Sequence, residues 1–244
     1  MKCIGIIPAR YASSRFPGKP LIDLHGKSMI ERVYEGASKS NRLSEVIVAT
    51  DDQRIFDEVI RFGGKVVMTD EAHRTGTDRC GEVARMHEAD VIINIQGDEP
   101  LINFRQLDQL LEAFADENVH IATLGIADVS EVDKQNPNRI KLVLNHQNDA
   151  LYFSRSAVPN EHHSNASDRE NYPFFRHIGV YAYRKSTLLE LVKLAPTQLE
   201  KIESLEQLRW MFYGYSIRVV QTEIETPNID VPEDVEKVRA ILSA

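Results

Sequence analysis

Cysteine is scarce in this chain. Cys3 and Cys80 are the two in 244 residues, far apart, with neither the spacing of a metal site nor the density of a disulfide framework. Both are expected as reduced, buried thiols, and the length suffices to bury a core without covalent staples. Long apolar runs are missing too. No stretch approaches the roughly 18 residues of a spanning helix, and no leader pattern ends in a small-residue cleavage site, so a cytoplasmic protein with no membrane contact is expected. Positive charge is in deficit, with 29 Lys and Arg against 37 Asp and Glu and a formal net charge of −8. A binder of nucleic acid or of an anionic membrane needs the opposite balance. Neither GxGxxG nor GxxxxGK[ST] occurs, which removes the dinucleotide fingerprint and the P-loop. No Ser/His/Asp or Cys/His signature of a nucleophilic enzyme is visible either.

What is present is an ordinary globular composition, 42% apolar and 27% charged, read as a single domain over 1–244. Short β-branched runs at 3–7, 45–49, 65–68 and 90–95 alternate with amphipathic stretches at 29–38, 52–62, 78–87 and 104–114. Strands apolar on both faces, separated by helices, predict an α/β fold: a mostly parallel, doubly wound sheet. The rhythm changes after about residue 120. Runs at 121–124, 140–144 and 178–183 read as strands with no helix between them, an antiparallel-leaning insertion over roughly 120–184. The polar segment 161–171 reads as a loop, with His162 and His163 solvated in it. Alternation then returns, with a helix near 204–213, a strand at 217–221 and a closing helix at 232–242. Trp210, Met211 and Phe212 read as core or subunit contact.

The most informative stretch, PARYASSRFPGKPL at 8–21, follows the first strand. In an open parallel sheet that is the edge where ligands bind. It also reverses the local charge: Arg10, Arg15, Lys19 and Lys27 face a single Asp23. Fixed cations among small residues with free backbone N–H groups suit a polyphosphate, and a solvated basic loop is the plainer alternative. Asp98, in QGDEP, follows the strand that ends near residue 95, and Asp230, in NIDVP, precedes the closing helix. Helix capping is the plainer reading of both. In RTGTD at 74–78, Gly76 permits close backbone approach, while Thr77 or Asp78 can serve as a helix cap. Gln96 shares a strand face with Asn94 and can hydrogen-bond a substrate.

PARYASSRFPGKPL resembles the N-terminal signature of the 3-deoxy-D-manno-octulosonate (Kdo) cytidylyltransferases. VATDD at 48–52, GTDR at 76–79, INIQGDEPLI at 93–102, ALYFSRSAVP at 150–159, HIGVYAYR at 177–184 and ESLEQLR at 203–209 extend the resemblance over nearly the whole chain. The resemblance implies a magnesium-dependent transfer in which the anomeric hydroxyl of Kdo attacks the α-phosphorus of CTP and pyrophosphate leaves. It implies Lys19, Arg10 and Asp98 as the catalytic set. Ala9, Arg10, Arg15, Lys19, Arg74, Gly76, Thr77 and Gln96 would bind the nucleotide. Arg155, His177, Glu206 and Gln207 would bind the sugar acid, and Asp98 with Asp230 would hold Mg²⁺. It further implies a homodimer, with the insertion as the contact region, and no nucleic-acid partner. An amino-substituted Kdo or a sialic acid as acceptor, or a nucleotide sensor without turnover, are the competing functions.

Overall fold

The structure is a computed structural model, and it describes residues 1–12, 16–128, 130–165, 167–168, 172–229 and 231–243. Along the chain run β1 (Cys3–Ala9), α1 (Met29–Ser38), β2 (Leu43–Thr50), α2 (Gln53–Arg61), β3 (Lys65–Met68), α3 (Gly76–Met86), β4 (Val91–Asn94) and α4 (Phe104–Glu112). There follow β5 (Ile121–Asp128), α5 (Glu131–Gln135), β6 (Lys141–Leu144), β7 (Ala150–Ser154), β8 (Phe174–Arg184) and α6 (Lys185–Leu191). The chain closes with α7 (Gln198–Glu203), α8 (Gln207–Phe212), β9 (Arg218–Gln221) and α9 (Glu233–Leu242).

The sheet order is β3-β2-β1-β4-β8-β5-β9, with β6 and β7 attached beside β8. Strands β1 to β4 pair in parallel, and so do β5 and β9. β8 runs antiparallel to both β4 and β5, the one reversal along that path. This is the mostly parallel α/β sheet expected, and the pairing of β6 with β7 and β8 is the antiparallel insertion. β1 is buried at nearly every position because helices cover both faces. One face packs Ile30 and Val33 of α1, Ile55 and Val59 of α2, and Leu107 and Leu110 of α4. The other packs Cys80, Val83 and Ala84 of α3 with Leu188 and Leu191 of α6 and Trp210 of α8. Burying these side chains contributes roughly 1.5–3 kcal/mol each, which is what keeps the strand ends in fixed register.

Cys3 and Cys80 are buried free thiols, as expected. Trp210 is core, at 1% exposure, whereas Phe212 is 65% exposed on the surface. The 161–171 segment is described only in part. Several elements lay outside the expectations: β7 and the short helices α5, α6 and α7.

Candidate active site

Three segments converge at the carboxyl ends of β1 and β4, and glycine is what lets them meet. A Cβ on Gly97 would lie 2.9 Å from the carbonyl oxygen of Pro8, and one on Gly76 would lie 3.0 Å from the Pro8 ring. Between these segments opens a cavity of about 230 Å³, walled by Ala9 and Arg10 after β1, Lys19, Gly76 at the start of α3, and Gln96 to Asp98 after β4. A second cavity of about 310 Å³ lies beside it. It is walled by Asn138 to Ile140 from the connection before β6, by Arg176 to Gly179 of β8, and again by Gln96 and Asp98. The two cavities therefore share a wall made of Gln96 and Asp98.

Lys19 opens a single 3-10 turn, Lys19–Leu21. Gly18 before it has φ of 73° and donates its N–H to Tyr11 O at 2.9 Å, so a left-handed glycine closes the basic loop. That geometry aims Lys19 Nζ at Asp98 Oδ2, 2.7 Å away, and at Ile229 O, 2.8 Å away. The ammonium is 12% exposed and the carboxylate 28%. Arg10 reaches across to donate to His73 O at 2.5 Å, tying the end of β1 to the segment before α3. Cations on both sides and one carboxylate at the shared wall make a site for a polyphosphate beside a second, polar reactant.

Asp98 does not cap the next helix. Asn103 caps α4, and Asp98 O instead accepts Ile229 N–H at 3.0 Å. The α3 cap is Thr75, whose side chain accepts from Asp78 N–H in a reciprocal capping box. The Thr77 hydroxyl goes elsewhere, to Glu206 Oε2 at 2.6 Å. Arg74 is exposed and lines neither cavity. Arg15 and Asp230 lie outside the described residues. Among the described residues no group of three or more His, Cys, Asp or Glu gathers around a common point. So sparse a set of carboxylates among the described residues would suit a cation that takes much of its shell from substrate oxygens and water, as Mg²⁺ does, better than zinc.

On the sugar side the outcome is divided. His177 lines the second cavity, and its Nε2 lies 2.9 Å from Thr123 Oγ1. Thr123 Oγ1 also lies 2.8 Å from Val180 O and 3.3 Å from Ile178 O, so its hydroxyl ties the ring to the β8 backbone. The ring also packs against Phe153 and Tyr181. Burial pushes its pKa from 6.5 down to about 3. Arg155 is not brought to either cavity. Its guanidinium donates to three backbone carbonyls: Glu203 O at 2.6 Å, Pro137 O at 2.9 Å and Ser204 O at 3.3 Å. Glu206 faces α3 through Thr77, and Gln207 is buried at the start of α8. The cavity's own cations are Arg139 and Arg176, the latter paired with Glu225 at 2.8 Å. Sequence patterns did not single out either arginine. Both sit in the insertion, where no periodicity marks the side that will face a ligand.

The His177 imidazole carries a pH signature. Between pH 3 and 6.5 the unfolded chain takes up a proton at this residue that the folded chain refuses. Its contribution to stability is therefore complete above 6.5 and is lost as pH falls toward 3. We expect the melting temperature of the wild type to fall more steeply than that of His177→Asn over this window. Equal slopes would mean that the ring protonates freely in the folded protein.

Residues 4–219 match the profile of a family described as cytidylyltransferase. A Parabacteroides distasonis protein named 3-deoxy-manno-octulosonate cytidylyltransferase is 52% identical, over 100% of this chain and 99% of its own. One of the same name from Geobacter metallireducens is 46% identical over 100% and 98%. The chain belongs to the 3-deoxy-manno-octulosonate cytidylyltransferase family. A solved CMP:2-keto-3-deoxy-manno-octonic acid synthetase in complex with CTP superposes on this cytidylyltransferase with a TM-score of 0.93 at 44% identity, covering 100% of this chain and 99% of its own. A 4-diphosphocytidyl-2C-methyl-D-erythritol synthase from Anaerococcus prevotii shares the fold, with a TM-score of 0.66 at 14% identity over 100% of this chain and 99% of its own.

Proposed function

We propose that this enzyme transfers CMP from CTP to Kdo, giving CMP-Kdo and diphosphate. The observation that carries the reading is the shared wall: a cation-lined cavity and a polar cavity meet at Gln96 and Asp98, with Lys19 Nζ 2.7 Å from that carboxylate. CTP occupies the cavity beside Arg10 and Lys19, and the sugar acid occupies the one beside His177. The anomeric hydroxyl attacks the α-phosphorus, the bond to the β-phosphate oxygen breaks, and the hydroxyl proton is released to solvent or to the departing diphosphate. Charge then grows on the departing diphosphate, where Lys19 and Arg10 stabilise it more than they stabilised bound CTP. Chemistry of this kind is mostly positioning and electrostatics, which agrees with a site that offers no nucleophile.

Gly76 and the backbone at the start of α3 face the nucleotide, and Gln96 is in reach of either substrate. His177 lines the cavity for the acceptor, while Arg155 anchors Pro137, Glu203 and Ser204. Asp98, together with Asp230, would hold Mg²⁺, which when bound supplies charge neutralisation to the phosphates. Leu151, Ile202, Phe212 and Tyr213 are exposed on β7, α7 and α8 and at the end of α8. Of these, Leu151 lies in the 120–184 insertion, the region through which a homodimer would form. No helix among the described residues is long and apolar enough to cross a membrane. A cytoplasmic enzyme drawing on the CTP pool, its product destined for bacterial lipopolysaccharide or capsule, fits these features.

Diphosphate release from CTP, assayed with and without Kdo, tests the reading. Release that requires Kdo supports it. Release only with a sialic acid or an 8-amino analogue would move the acceptor, and no release with any sugar acid would leave a nucleotide sensor.

A further inference from the structure

The corner between α7 and α8 is built with unusual care for a surface turn. Ser204 adopts φ 52° and ψ 47°, a left-handed conformation that a residue with a Cβ rarely takes without support. The support comes from two sides. Ser154 Oγ and the Arg155 N–H both donate to the Glu203 carboxylate, at 2.8 and 2.9 Å, and the Arg155 guanidinium grips the carbonyls of Glu203 and Ser204. From the other side Arg209 makes a two-pronged contact with Glu200, one prong at 2.8 Å, and lies 3.9 Å from Glu206. The corner so fixed presents Glu206 to α3, where Oε2 accepts the Thr77 hydroxyl at 2.6 Å. Thr77 adjoins Gly76, which walls the nucleotide cavity and lies close against Pro8, where a Cβ would be 3.0 Å from the ring.

We propose that Glu206 is a positioning residue for the nucleotide: through the Thr77 hydroxyl it locks the first turn of α3, and with it the Gly76 wall, onto the α7–α8 corner. The inference rests on the reading that CTP occupies that cavity. It stands beside the sugar contact that the family resemblance implies for Glu206, because Thr77 engages Oε2 alone and a carboxylate can accept more than one hydrogen bond. Burial raises the Glu206 pKa, and the hydrogen bonds that oppose it come from Thr77 and Thr75, so the threonine in the first turn of α3 and the one that caps it both tie that turn to this carboxylate.

The test uses Thr77→Val, which keeps the shape and removes the hydroxyl, with Thr77→Ser as the rescue. Hydrogen exchange of residues 76–79 in the nucleotide-free protein and calorimetric CTP affinity are the readouts. Thr77→Val and Glu206→Leu are each expected to speed exchange in that turn and to weaken CTP binding roughly fivefold to tenfold. The double variant should be no worse than either alone, and Thr77→Ser should stay within about twofold of wild type. Glu206→Gln, which still accepts a hydrogen bond, should retain most CTP affinity. Unchanged exchange and CTP affinity in Thr77→Val would overturn the proposal. So would a Glu206→Leu enzyme that loses only Kdo affinity. A wild type that binds no CTP at all would instead sink the functional reading, while the exchange experiment would still judge the Thr77–Glu206 lock.

Discussion

Lys19→Ala is expected to lower kcat by roughly 100- to 1,000-fold, the usual cost of deleting one preorganised electrostatic group at a site of developing charge. The KM for CTP should rise far less. The ammonium sits at the cavity wall without substrate, held between Asp98 Oδ2 and Ile229 O and only 12% exposed, so part of what it gains from bound CTP is offset by giving up Asp98, while its gain from the departing diphosphate is not. A group whose partner charge grows along the reaction acts on turnover more than on binding. Lys19→Arg should rescue poorly. A guanidinium is broader, and its fixed fork cannot reproduce a single ammonium hydrogen-bonding two oxygens 2.7 and 2.8 Å away. Steady-state kinetics with both substrates varied would decide the matter. A fall confined to the KM for CTP would show that Lys19 binds the ground state and contributes nothing specific to departure.

Much of this machine was legible from hydrophobic rhythm. The strands at 3–7, 45–49 and 65–68 and the helices that follow them carry the period that burial on two faces demands, and they fold where that period puts them. β7 was missed because its exposure alternates irregularly, with Leu151 exposed between buried Ala150 and half-buried Tyr152. α6 was missed because Arg184 precedes it, a residue that supplies no side-chain cap. α7 did carry a signal in the Thr197–Glu200 capping box, which the local composition obscured. At the site, Ala9, Arg10, Gln96 and Asp98 lie at or just past strand ends and Gly76 at the start of α3, positions a parallel sheet brings to one edge, and the 3-10 turn after β1 adds Lys19 to them. Thr77 stands beside them with its hydroxyl turned to Glu206. Arg139 and Arg176 could not be seen, since their place depends on how β6 and β8 cross. Nor could the confinement of Arg155 to backbone carbonyls, which depends on the α7–α8 corner lying against β7.

Asp98→Asn should move binding and activity in opposite directions. In the ligand-free protein Asp98 and Lys19 neutralise one another at 2.7 Å. If CTP arrives with a cation, that pair would open: Lys19 would be free for phosphate and Asp98 would be the residue to hold the cation, which would supply charge neutralisation. In EDTA there is no cation to receive Asp98, and its charge opposes the triphosphate. Replacing it with Asn removes that repulsion and frees Lys19, so metal-free CTP should bind roughly threefold to tenfold more tightly than to wild type. With Mg²⁺ present the order should reverse, and turnover should fall by at least about 100-fold. Excess Mg²⁺, or Mn²⁺ with its stronger hold on a given oxygen site, should restore part of it. The effect on melting should be small, about 1 kcal/mol or less, because the pair is partly solvated and Ile229 O still receives the ammonium. Asp230→Asn, run beside it, should lose activity under Mg²⁺ in the same way. Calorimetry in EDTA and in Mg²⁺, with melts on the same samples, separates the possibilities. An Asp98→Asn protein that melts several degrees lower yet turns over normally would make Asp98 a structural partner of Lys19 and no more. The metal would then have to be held by Asp230 with another carboxylate, and Glu99 would be the first to replace.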